Sequence, residues 1–167
     1  MPFKADPKKI FLIGSSAGAE TVLNFQFMRY DYRFKRLPYP NAHVAGVVSL
    51  SGAVLDENYI DATNKTPLLF FHGTKDSVVP YDTNPHRFCS SKDVGYLQIN
   101  GPKAIAERLS KIDGYYKVFY NAEGEHEWAS LGFKFPDLIH QFLTDVLHGD
   151  ATMKEFESIT SPIDSKQ

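Results

Sequence analysis

Four stretches of the chain are dense in apolar residues and short enough to be strands: Lys9–Ile13, Val44–Leu50, Pro67–His72 and Tyr115–Tyr120. The first three are nearly continuous in apolar residues, the pattern of parallel strands covered on both faces. The fourth alternates more and carries Lys117, which suits a sheet edge. Between them the apolar period lengthens to that of a helix. Ala19–Met28 is one such stretch. Pro102–Ile112 begins on proline, places Ile105 and Leu109 four apart, and is followed by Gly114. Phe135, Leu138, Ile139, Phe142, Leu143, Val146 and Leu147 recur at helical spacing, and Gly149 closes the run. Strand alternating with helix predicts an α/β fold, a mostly parallel sheet of about four strands with flanking helices.

The remaining segments read as connections. Residues 29–41 are charged and aromatic with two prolines. Residues 81–101 contain Pro85, Gly95 and Gly101, and are long enough to form an elaborated loop over the C-terminal edge of the sheet, where sites in such folds lie. One domain is expected over residues 1–149. From Asp150 the chain turns polar, and residues 150–167 are expected as a loosely ordered tail.

Composition narrows the function classes. A chain of 167 residues with 43% hydrophobic content can bury a sizeable core. A net charge of −2 gives no reason to expect nucleic acid or an acidic membrane surface as partner. No apolar run approaches the length of a membrane span. The first nine residues hold no apolar stretch and do not read as a signal peptide. The compartment stays open: cytoplasmic if the start is native, secreted if a leader once preceded it. Cys89 is the only cysteine, which excludes an internal disulfide and a multi-cysteine metal site.

The candidate chemistry lies where strands end. Directly after Ile10–Ile13 comes Gly14-Ser15-Ser16-Ala17-Gly18, a G-x-S-x-G segment between a strand and a helix. Such an elbow holds a serine hydroxyl clear of the backbone, within reach of a base from another loop, and glycine flanks avoid collisions at the sharp turn. The helix that follows aims free N–H groups at the same place, so the Ala17 N–H is a candidate oxyanion donor. A serine nucleophile needs a histidine base, and the base needs an acid to fix its tautomer. After Leu68–Phe71 comes His72-Gly73-Thr74-Lys75-Asp76; after Tyr116–Tyr120 comes Asn121-Ala122-Glu123-Gly124-Glu125-His126. Ser16, Asp76 and His126 thus follow the chain order serine, acid, histidine, each just past a strand end.

Each residue has a rival. Asp56 also follows a strand end and is the second choice of acid. His72 is the rival base, although its position at the end of a buried strand before Gly73 favours a structural role. His43 and His86 sit in loops without a partnered context, His140 and His148 lie on or beside the last helix and are expected to be solvated, and Cys89 lacks a following histidine loop better placed than that of Ser16. Glu125 and Glu127 alternate with His126 and are expected to face water. Gly124 allows a tight turn that would aim His126 inward.

With these residues in view, the chain resembles the α/β-hydrolase superfamily, carboxylesterase and lipase-like members above all. The resemblance rests on Asp6–Ala19, on His72–Pro80 and on Gly124-Glu125-His126, and it spans residues 6–149. It implies a serine hydrolase of small carboxylic esters working through an acyl-enzyme, with no metal or cofactor. A serine peptidase of the prolyl-oligopeptidase type uses the same triad and is the alternative within enzymes. The resemblance departs at the start. Family members carry several strands before the elbow strand, and the loop that donates a second oxyanion N–H, a His-Gly-Gly-Gly-type segment, has no counterpart here. The chain is therefore similar to the C-terminal half of the fold, which leaves open a truncated half-domain without catalysis. It also predicts that the elbow strand is an apolar edge, and that the chain self-associates through it.

Overall fold

The computed structural model describes residues 4–34 and 42–162. Part of the connection expected over 29–41, and the last residues of the expected tail, lie outside them. The described residues form a five-stranded parallel sheet. Its strands are β1 (Phe11–Ser15), β2 (Gly46–Leu50), β3 (Leu68–Gly73), β6 (Tyr116–Asn121) and β7 (Lys154–Ser158), in the spatial order β1-β2-β3-β6-β7. β4 (Thr83–Pro85) and β5 (Gln98–Asn100) form a small antiparallel ribbon inside the long connection after β3. Four helices complete the fold: α1 (Ala17–Met28), α2 (Pro102–Lys111), α3 (Trp128–Leu131) and α4 (Pro136–His148).

The alternation of side chains along the central strands builds a core on each face. Val47, Leu68, Phe70, Tyr116 and Val118 point to one side and pack with Leu23 and Phe27 of α1 and Ile105 and Leu109 of α2. Val48, Leu50, Leu69, Phe71 and Phe119 point to the other and pack with Trp128, Leu131 and Phe142. This two-sided burial is why β2 and β3 read as unbroken apolar runs. Phe135 stacks on both Phe71 and Trp128, which fixes the entry to α4. Gly149 ends α4 with a left-handed backbone (φ 80°), the conformation glycine adopts without a Cβ penalty.

Two expectations are corrected at the C-terminal side. Residues 154–158 are not a loose tail but strand β7, paired in register with β6 from Tyr116–Lys154 to Tyr120–Ser158. β6 is consequently an interior strand. Lys117 is nearly buried because its ammonium donates to Glu155 and Glu157 of β7, 2.6 Å to each. Burial opposes the ammonium's charge, but the two hydrogen bonds outweigh it, and the net direction of its pKa is up. The opposite edge is β1. Ile10 O accepts from Ala45 N–H and Ser16 N–H donates to Leu50 O. Even-numbered residues of β1 therefore face β2, and the N–H and C=O groups of Phe11, Ile13 and Ser15 face outward. Among the described residues no strand pairs on that side.

Candidate active site

Ser16 links β1 to α1 with φ 51° and ψ −124°, a conformation that costs a non-glycine residue of the order of 1–3 kcal/mol. Three contacts hold it there. The Ser16 N–H donates to Leu50 O at 2.9 Å. The Ser15 hydroxyl donates to Ala129 O at 2.6 Å, joining the elbow to the helix after His126. Gly14 packs so closely on the turn that a Cβ there would lie 2.6 Å from Ala19 N and closer still to the Gly18 carbonyl. Gly18 differs from expectation: a Cβ there would meet nothing within 4 Å, so only the first glycine of the elbow is required by packing. As the first residue of α1, Ala17 has no intrahelical acceptor for its N–H.

Asp76 lies three residues past β3 and is 1% exposed. One carboxylate oxygen, Oδ1, accepts from the Val78 and Val79 N–H groups, both at 2.9 Å. The other, Oδ2, stands 2.8 Å from His126 Nδ1. A carboxylate held by two amide donors is an acceptor, so the proton between these groups sits on Nδ1. His126 Nε2 is then left as an acceptor, 2.8 Å from the Ser16 hydroxyl oxygen.

The loops carrying Asp76 and His126 are joined backbone to backbone. Thr74 N–H donates to Asn121 O and Lys75 N–H to Gly124 O, both at 2.9 Å. A Cβ on Gly73 would strike the backbone of Gly124 and Glu125, and one on Gly124 would strike the Trp128 indole. Gly124 therefore serves close approach; its φ is not in the left-handed region that a glycine-dependent turn would need.

Ser16, Asp76 and His126 are brought together; of the rivals, His72 lies against Asp76 but not against Ser16. Asp56 caps the short helical turn Glu57–Tyr59 by accepting from the Asn58 N–H. His72 is fully buried behind the acid. Its Nε2–H donates to Val79 O at 2.9 Å and lies 3.5 Å from Asp76 Oδ2. Burial lowers its pKa to about 4, so it is neutral near pH 7. His43 lines a polar cavity with Arg29 and Lys65 before β2. His140 and His148 are exposed on α4. Glu125 and Glu127 are exposed, and the Glu127 carboxylate accepts from the Glu125 N–H. Cys89 is a free thiol in the long loop. Sequence reasoning missed Ser15, Gly73 and Trp128, whose parts depend on which loops touch. It also missed Glu20, one turn along α1 from Ser16, whose spacing alone could have signalled it.

Among the described residues, no group of three or more His, Cys, Asp or Glu side chains could hold a metal ion, and no helix is long and apolar enough to cross a membrane. Comparison with protein-family models, with curated proteins and with solved structures finds no significant match.

Proposed function

We propose that this chain is a serine hydrolase of small carboxylic esters, of the α/β-hydrolase kind. The observation that carries the reading is the unbroken relay from Ser16 Oγ to His126 Nε2 and from His126 Nδ1 to Asp76 Oδ2, 2.8 Å at each step. In this reading the Ser16 oxygen attacks the ester carbonyl carbon while its proton passes to His126 Nε2. The carbonyl electron pair moves onto oxygen, beside the Ala17 N–H. Collapse of that intermediate breaks the bond to the alcohol, which leaves with the proton from His126. Water then attacks the acyl-enzyme, with His126 again taking the proton, and releases the acid. Asp76 keeps the Nδ1 tautomer and offsets the imidazolium charge.

A fluorophosphonate probe followed by intact-mass measurement tests this. The wild type is expected to gain one adduct and Ser16→Ala none; equal labelling of the two would overturn the reading. In Asp76→Asn, turnover of a 4-nitrophenyl ester is expected to fall by about 10⁴, as when a triad histidine is left in the wrong tautomer.

A second reading concerns assembly and rests on the open side of β1, where Ile10 and Ile13 are 41% and 44% exposed. We propose that two copies pair there, edge to edge, around a two-fold axis. Light scattering across a concentration series is expected to give twice the chain mass; a constant monomer mass would count against it.

A further inference from the structure

A small cavity of about 150 Å³ lies along α1, lined from Glu20 in its first turn. Its walls are mainly apolar, from Ala53, Val54 and Leu55 after β2 and from Leu97 and Ile99 of the long connection. Glu20 and His86 are its ionisable groups. Glu20 follows Ser16 by one helical turn, and its N–H donates to Ser16 O at 3.0 Å. Ser16 is the non-helical cap of α1 and Glu20 lies in its first turn, so the carboxyl belongs to the turn that follows the proposed nucleophile. The side chain is only 24% exposed. Among the described residues neither carboxylate oxygen accepts a hydrogen bond, and His86 Nε2 approaches Oε1 at 3.4 Å. Asn24, the cavity's other polar wall, is already engaged. Its amide donates to Glu20 O and Ala53 O, and its carbonyl oxygen accepts from Leu55 N–H, which fastens the Ala53–Leu55 wall to α1.

A half-buried carboxylate with no donor is costly unless something pairs with it. From this arrangement we infer that the cavity is a substrate subsite for a short alkyl group bearing an ammonium, with Glu20 as the group that selects it. Burial raises the Glu20 pKa and the Asp76 charge adds to it, His86, His126 and Arg87 offset this only in part, and the net direction is up, so the carboxyl sits within the electrostatic reach of His126 and gains from a cation. A primary ammonium satisfies the site on both counts. It supplies hydrogen-bond donors that the 3.4 Å approach of His86 does not, and its alkyl stem covers the apolar wall. His86 is the resident competitor for Glu20, so the site takes the cation best when that imidazole is removed.

The inference rests on the hydrolase reading for its meaning but is tested separately from it. Butylammonium and butanol differ in the charged group and share the stem. In the wild type, butylammonium is expected to slow fluorophosphonate labelling of Ser16 at about tenfold lower concentration than butanol, a difference of ~1.4 kcal/mol. Glu20→Gln is expected to erase the difference, and His86→Gln to widen it. Calorimetric titration of butylammonium into wild type and Glu20→Gln reads the cavity without any catalysis. An unlabelled wild type that still binds butylammonium through Glu20 would sink the hydrolase reading and keep the site. Equal action of butylammonium and butanol on a labelled wild type, or a preference surviving in Glu20→Gln, would overturn the inference.

Discussion

β1 and β7 close the two sides of one sheet, and they are built in opposite ways. β7 reads Lys-Glu-Phe-Glu-Ser, every residue exposed, and a charged contact between its glutamates and Lys117 fastens it to β6. β1 reads Phe-Leu-Ile-Gly-Ser, leaves Ile13 half-exposed, and offers unpaired backbone groups along its outer side. Charged residues on an edge discourage further pairing, whereas an apolar edge invites it. The difference teaches that the β7 side carries charges that discourage a further strand, whereas the β1 side, where pairing is proposed, carries none among the described residues. Ser16, the proposed nucleophile, directly follows β1, so a copy paired on that edge would bear on it.

The comparison breaks if stability is governed from the edges and not from the strands between them, and acid tests this with the largest expected effect. His72 is the penultimate residue of β3, and its pKa is lowered from the ordinary 6.5 to about 4 by burial. Between these values only the unfolded chain takes up the proton. The contribution is therefore complete above about pH 6.5 and lost as pH falls towards 4. Unfolding free energies from urea titrations at pH 7 and pH 4.5 are expected to differ by about 2 kcal/mol more in wild type than in His72→Gln. An identical acid loss in both proteins would shift attention back to the edges.

Gly14→Ala comes next, at the end of β1. A Cβ there overlaps backbone, which cannot move aside as a flexible side chain can, and a cost of about 2–3 kcal/mol is expected from denaturant unfolding. At the other edge, Lys117→Met keeps the apolar stem and removes the ammonium. Its two glutamate partners are 51% and 56% exposed, so solvent already screens them, and the expected loss is about 1 kcal/mol. Hydrogen exchange is expected to rise in β7 and leave β1 unchanged. Faster exchange in β1 as well would mean that the two edges are not independent.

How far the sequence spoke for itself follows the same division. β2, β3 and β6 were legible as apolar runs because helices bury their side chains, and β1 was legible as one although only Gly14 of its five residues is buried. β7 was not, since its hold on the sheet is a backbone ladder plus a contact between residues nearly forty positions apart. α4 was legible from its stripe and from Gly149; α3, a single turn, carries too short a pattern. Ser16, Asp76 and His126 were legible because each follows a strand end in a fixed order. The glycines were legible as residues but not in their roles. Gly14 is demanded by contact with Gly18, Gly73 by the Gly124 loop, and Gly124 by Trp128, and none of those neighbours can be read before the loops are in place.

The smallest expected stability changes discriminate most sharply between the two edges. Gly18→Ala meets open space at the second position of α1, and alanine favours a helix over glycine, so a gain of at most about 1 kcal/mol is expected. Ile13→Lys replaces a half-exposed side chain on β1 and is expected to alter monomer unfolding by no more than about 0.5 kcal/mol. Its effect on assembly is of another order. A lysine on an edge strand must be buried beside its own copy when two β1 strands pair around a two-fold axis, and like charges in that position repel. Light scattering is then expected to move from twice the chain mass to the mass of one chain. The matching change on β7, Phe156→Lys, is expected to leave the mass unaltered, because that edge already carries Glu155 and Glu157. If Phe156→Lys dissociated the protein and Ile13→Lys did not, β7 would be the joining edge, and the charges along it would be part of an interface and not a guard against one.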